Sequence, residues 1–150
     1  MSYWDTSALL KLFSDEGDSQ AFHAHVRRGG VELVTSELTR MEVWTALRRK
    51  ETEGLLGAGV AKILLADFDD GAAEDCWRFV ILTDSVRAEF ERVVERCCAH
   101  TPPIFIRTLD ALHIASARAV GETEIVATDK RLRDAATLLG FQLFPIPTSP

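Results

Sequence analysis

Apolar positions along the chain follow two rhythms, one of helices and one of short strands. The clearest helical stretch is Thr108 to Ala117, where Leu109, Leu112, Ala115 and Ala119 recur three and four residues apart and share one face. Thr108 stands at the expected N-cap, its hydroxyl free to accept a first-turn N–H, and the helix stops near Gly121. Before it, a long helix opens at Asp84 or Ser85, contains Val86, Phe90, Val93, Val94 and Cys97, and ends at Thr101-Pro102-Pro103. A helix capped by Thr6 or Ser7 turns Leu9, Leu10, Leu12 and Phe13 inward. Ser19 to Arg28 forms the next, stopped by Gly29-Gly30, and another runs from a Ser36 cap to about Glu53 before Gly54. Gly57 to Asp69 and Lys130 to Leu139 complete the set, the last ended by Gly140. Ser14 to Asp18 and Gly71 to Asp75 read as loops.

Strand-length runs fall between these helices: Met1 to Trp4, Val31 to Thr35, Arg78 to Leu82, Glu124 to Thr128 and Phe141 to Phe144. Strands alternating with helices predict β–α crossovers and therefore an α/β fold, a mostly parallel sheet covered on both faces. No repeat, low-complexity tract or linker divides the chain, so residues 1–150 are expected to form one domain.

Composition narrows the classes. Apolar residues make up 47% and charged ones 27%, which suits a soluble globular protein. No apolar run reaches bilayer length and no charged-then-apolar export signal opens the chain, so no membrane association is expected. The cysteines, Cys76, Cys97 and Cys98, are odd in number and suit neither a C-x-x-C metal site nor an easy disulfide, pointing to a reduced cytoplasm. A net charge of −6 argues against broad adhesion to nucleic acid, although a local basic rim is compatible with it.

Four acids then change the picture. In a parallel sheet, ligands bind beyond the carboxyl ends of the strands. Asp5 follows the first strand, Asp129 follows the fourth, and Asp110 opens a helix near that edge. Glu42 shares a helix face with Leu38, Thr45 and Ala46, where an acid is costly to bury unless paired or bound to a cation. Four converging carboxylates repel one another, and a hard divalent cation such as Mg²⁺ or Mn²⁺ relieves that repulsion. Metal-dependent phosphodiester hydrolysis is the reaction class that follows.

The same residues carry a family resemblance. Tyr3 to Phe13, the Glu42 helix, Arg107 to Ala117 and Ala127 to Leu132 resemble the four signature segments of PIN-domain ribonucleases, nearest to the VapC-type toxins of VapBC toxin–antitoxin pairs. The resemblance implies a Mg²⁺- or Mn²⁺-dependent endoribonuclease that is held silent by a cognate antitoxin and is commonly a homodimer. It implies Asp5, Glu42, Asp110 and Asp129 as the acidic set, with Asp5 and Asp110 the most direct metal ligands and Glu42 and Asp129 binding directly or through water. Thr6, Ser7 and Thr128 match the small polar residues that support these acids. Trp4 departs from the pattern, standing where an aliphatic residue is commoner, which bears on strand packing.

Each remaining feature has a plainer reading beside the sharper one. His113, one turn past Asp110, reads as a packed or hydrogen-bonded helix residue before a metal ligand. Ser7 lacks a nucleophile elbow and a histidine partner. The acids at Asp15, Glu16 and Asp18, and those from Asp67 to Asp75, read as solvated. Arg40, Arg107, Lys130 and Arg131 lie close in sequence to the acids and are candidates for phosphate contacts along an RNA path, or else belong to ordinary solvated helix faces; Arg48, Arg49, Lys50 and Arg133 are further basic positions. Trp44 and Trp77 read as packing residues. Two rival functions stand beside the nuclease. One is a phosphatase with Asp5 as nucleophile, although Ser7 occupies the place of its usual second acid. The other is a catalytically silent module that keeps the fold for binding.

Overall fold

A computed structural model of the chain describes residues 2–13, 17–29 and 33–146. Its centre is β1 (Ser2–Trp4), a three-residue strand buried along its whole length. It pairs in parallel with β2 (Leu33–Ser36) on one side and β4 (Glu124–Val126) on the other. The edges are β3 (Trp77–Val80) and β5 (Gln142–Phe144), giving the parallel order β3-β2-β1-β4-β5. The expected α/β fold is thus the observed one. The order reverses between β1 and β4, which opens a crevice beyond their carboxyl ends.

Among the described residues seven helices make the crossovers: α1 (Thr6–Phe13), α2 (Ser19–Gly29), α3 (Thr39–Thr52), α4 (Val60–Ala73), α5 (Asp84–Ala99), α6 (Thr108–Ala119) and α7 (Lys130–Leu138). Successive strand residues point to opposite faces, and the core divides accordingly. Tyr3, Val34, Val80 and Ile125 pack against Val86, Val93, Ile114 and Leu132 of α5, α6 and α7. Trp4, Leu33, Trp77 and Val126 pack against Leu9, Phe22, Val43 and Phe68 of α1 to α4. Trp4 is accommodated without an orphaned polar atom, since its Nε1 donates to Ser2 Oγ at 2.9 Å and its ring meets Phe22 edge-on.

Several expected boundaries move, each for a local reason. Thr108 does not cap α6: it is the helix's first residue, and Arg107 occupies the cap without a side-chain hydrogen bond. The start of α1 is capped by Asp5, whose Oδ1 accepts from Ala8 N, so neither Thr6 nor Ser7 is the cap. Ser36 Oγ accepts from Leu38 N just ahead of α3, and the helix begins at Thr39 rather than Glu37, with Leu38 at its cap. Thr83 caps α5 through Val86 N. Helix α4 continues through Gly71, which read as loop, because the Trp77 ring lies against that backbone. A Cβ at Gly71 would come within 2.2 Å of the ring, so only glycine lets helix and strand approach so closely. Val31, Glu32, Asp15, Glu16 and Gly30 lie outside the described residues. Cys76, Cys97 and Cys98 are free thiols, and no helix among the described residues is long and apolar enough to cross a membrane.

Candidate active site

Beyond the carboxyl ends of β1 and β4 lies a cleft of about 670 Å³ lined by Asp5, Glu42, Asp110 and Asp129 together. Acids from four separate stretches of chain are thereby brought to one place by the topology. Leu38, Thr45 and Ala46, the residues sharing Glu42's helix face, line it too.

Asp5 leaves β1 with its backbone N–H still donating to Val126 O at 3.0 Å, which extends the sheet by one bond and fixes where the side chain starts. Only 4% exposed, its carboxylate accepts from Ser7 Oγ at 2.8 Å on each oxygen and from Ala8 N at 2.8 Å. Burial pushes its carboxyl up to about 6, a rise that the His113 charge, the Ala8 N–H and Ser7 only partly offset. Ser7 Oγ also accepts from Thr128 N at 3.0 Å. Through one hydroxyl, the corner after β1 and the corner after β4 are held together. The Thr128 contribution is made by its backbone.

Glu42 is held by three elements. Its Oε2 accepts from Thr6 Oγ1 of α1 and from His113 Nε2 of α6, the latter at 2.7 Å. His113 Nδ1 in turn lies 2.7 Å from the Tyr3 hydroxyl of β1. Burial raises the Glu42 carboxyl, but the His113 hydrogen bond and charge, with Thr6, outweigh it, so Glu42 sits below the ordinary glutamate value. For His113, burial opposes the charged form, yet Glu42, Asp5 and Asp110 outweigh it and move the imidazole upward. The plainer reading of His113 as a buried, hydrogen-bonded residue describes it well, and its tie to Glu42 is what the sequence did not reveal. A histidine three residues past a candidate acid was the available signal.

Asp110 and Asp129 differ. Asp129 is the N-cap of α7, its Oδ1 accepting from Arg131 N at 2.9 Å and Leu132 N at 3.1 Å. Asp110 lies in the first turn of α6, and its Oδ2 is buried with no hydrogen-bond partner among the described residues. Burial raises the Asp110 carboxyl, the Asp129 charge adds to that, and Arg107 works against it. An unpartnered, buried oxygen on a half-buried carboxylate beside a second carboxylate is costly, and a cation in the cleft would satisfy it. The all-oxygen donor set suits Mg²⁺ or Mn²⁺. Among the described residues, no three His, Cys, Asp or Glu side chains enclose such an ion by themselves, so water would complete its shell, as Mg²⁺ commonly requires.

Of the basic candidates, Arg107 lines the cleft and so does Arg49. Arg40 does not: its Nε and Nη2 donate to the two oxygens of the Asp69 carboxylate, each at 2.7 Å. Lys130 is outside the lining as well, paired with Asp134 at 2.6 Å, and Arg131 is exposed on α7 without reaching it. Arg133 is structural, donating to Ala127 O and Pro145 O beneath the β4–α7 corner. Leu109 leaves the apolar stripe of α6: 46% exposed, it joins Met41, 57% exposed, on the cleft wall.

Residues 2–138 match the PIN domain. The chain belongs to the PIN-domain family. It is similar to ribonuclease VapC35 of Mycobacterium tuberculosis, with 32% identity over 144 residues, covering 93% of this chain and 92% of that one. Ribonuclease VapC46 of the same organism is 31% identical over 140 residues, covering 92% of each. In fold, this PIN domain superposes on FitAcB from Neisseria gonorrhoeae with a TM-score of 0.68 at 16% identity, covering 96% of both chains. It also superposes on VapBC2 from Rickettsia felis, solved bound to a DNA fragment from their promoter, with a TM-score of 0.65 at 10% identity, covering 95% of this chain and 97% of that one. At such identities these two likenesses speak for the fold alone.

Proposed function

We propose that this PIN-domain protein is a Mg²⁺- or Mn²⁺-dependent endoribonuclease, the toxin of a toxin–antitoxin pair, acting as a cytoplasmic homodimer. The observation that carries the reading is the unpartnered Asp110 Oδ2 in a cleft that Asp5, Glu42 and Asp129 also line. Its likeness to two ribonucleases over more than nine-tenths of its length supports the choice of RNA as substrate.

Asp5 and Asp110 would hold the cation most directly, with Glu42 and Asp129 joining directly or through water. A bound divalent ion supplies charge stabilisation to the phosphodiester transition state and acidifies water. The chain's own part is orientation. Ser7 and Ala8 fix Asp5, Thr6 and His113 fix Glu42, and the α7 cap fixes Asp129. Arg107 and Arg49 set positive charge on the cleft wall, where they would take RNA phosphates and position the strand without reading its bases. An antitoxin segment offering apolar side chains to Met41 and Leu109 and a cation to the acids would fill the same cleft and silence it. The phosphatase reading is disfavoured by Asp5 itself, whose two oxygens both accept from Ser7 in a buried corner.

The test is cleavage of single-stranded RNA by the purified chain. Cleavage is expected with Mg²⁺ or Mn²⁺, lost with a chelator, restored by adding the ion back, and absent in a folded Asp5→Asn variant. Cleavage that continues in chelator or in that variant would remove the mechanism. A folded chain that binds RNA and never cuts it would favour the silent module.

A further inference from the structure

His113 touches neither the cation nor the RNA in the reaction as written above, yet both of its ring nitrogens are engaged. It is 3% exposed, and at that depth both ring nitrogens need partners. Both have one, each at 2.7 Å: the Tyr3 hydroxyl on Nδ1 and Glu42 Oε2 on Nε2. An ionised carboxylate only accepts, so Nε2 carries the proton and donates to Glu42. Thr6 donates to the same carboxylate oxygen. Both donors therefore occupy Oε2, and neither occupies Oε1. The far end of this relay is anchored in the sheet, because Tyr3 is fully buried in the central strand.

We propose that His113 is a positioning residue, anchored by Tyr3 in the sheet, which clamps Glu42 through Oε2 and thereby presents Oε1 to the cation in the cleft. The inference rests on the nuclease reading for the presence of that cation. Its physical content is separate: a glutamate on a helix has three freely rotating bonds, and the imidazole removes that freedom before any ion arrives. Residues that hold a ligating carboxylate by hydrogen bonds set its affinity for metal even though they never touch it.

Three variants separate positioning from packing. His113→Leu keeps a buried side chain and removes the donor. His113→Gln returns an N–H near the place of Nε2. Tyr3→Phe removes only the anchor. Mn²⁺ binding to the RNA-free full chain is read by EPR titration, with thermal unfolding alongside. His113→Leu is expected to weaken Mn²⁺ binding about tenfold or more, whereas His113→Gln stays within about threefold of the unaltered chain. Tyr3→Phe is expected to fall between them. In RNA cleavage the same variants should need more Mn²⁺ for half-maximal rate, with most of kcat regained at saturation. Unchanged Mn²⁺ affinity in a folded His113→Leu overturns the inference. So does a His113→Gln variant that is folded yet as weak as His113→Leu, because packing alone then explains both. Should His113→Leu not fold, Tyr3→Phe decides, and undiminished Mn²⁺ affinity there overturns the proposal. Failure of the unaltered chain to take up Mn²⁺ overturns the nuclease reading and this inference together, whereas undiminished uptake by His113→Leu and Tyr3→Phe overturns this inference alone.

Discussion

Helices α6 and α7 each carry an acid at their N-terminal end, in the first turn of one and at the cap of the other, and the two acids are used in opposite ways. Asp129 gives Oδ1 to two backbone N–H groups and so belongs to the helix it opens. Asp110 sits inside the first turn of α6, whose cap residue Arg107 supplies no side-chain bond, and still its Oδ2 takes no donor. Both enjoy the positive end of a helix dipole. Among the described residues only Asp110 of the two has an oxygen that is both buried and without a donor, and that buried surplus, rather than the position, separates an acid that holds structure from one that waits for a ligand. Asp5 combines both duties, capping α1 through Ala8 N while its carboxyl is raised by burial to about 6.

The contrast can be broken most severely by removing one charge at each helix start. Asp110→Asn is expected to lower kcat/KM for RNA by ~10³-fold or more, the size of losing several kcal/mol of transition-state stabilisation. Asp129→Asn, whose amide oxygen still caps α7, should cost only ~10- to 100-fold. Equal losses measured on one single-stranded RNA would erase the distinction.

A smaller effect lies in the pH dependence of stability without metal. Because the Asp5 carboxyl moves from 3.8 to about 6, the folded chain keeps a proton that the unfolded chain has released. Stability from this group is therefore full at low pH and is lost as pH rises through the folded value, about 2 kcal/mol between about pH 4 and pH 7. His113, also raised, acts in the same direction at higher pH, its contribution falling as pH passes its folded value. Glu42, lowered, acts oppositely, its contribution falling only on acidification. Urea unfolding in chelator should show the Asp5 loss, and Asp5→Asn should remove it. A difference between the two chains that is flat across this range would refute the assignment to Asp5.

The smallest test concerns the caps. Asp129→Ala should cost about 1 kcal/mol in stability and Asp129→Asn only a few tenths, whereas Asp110→Asn in metal-free protein should cost nothing. Chemical denaturation of the three variants measures this directly, and a stability loss in Asp110→Asn would show that its carboxylate has a structural partner after all.

Much of this arrangement was legible in the residues. The alternation of strand runs with helical periods specified a parallel sheet, and such a sheet places residues that end strands, Asp5 and Asp129, at one edge. The caps were less legible because Thr6, Ser7, Asp5, Ser36 and Thr108 are all competent acceptors, and tertiary position decides between neighbours. Gly71 read as a break because its reason, the Trp77 ring, lies on another element. Arg40 and Lys130 are near the acids in sequence, but helix rotation hands them to Asp69 and Asp134. Leu109 fits an apolar period and nonetheless faces the cleft, where the period carries no information about which wall it meets.

The Ser7 hydroxyl has a mechanical consequence. It has one proton, directed at Asp5, and its lone pair receives the N–H of Thr128, 121 positions away in sequence. Strand β4 cannot slide past β1 without tugging on that oxygen, and the tug goes straight to the Asp5 carboxylate. Sheet register and the aim of a reactive acid are thus a single adjustment, and a serine-to-alanine exchange would let each drift alone.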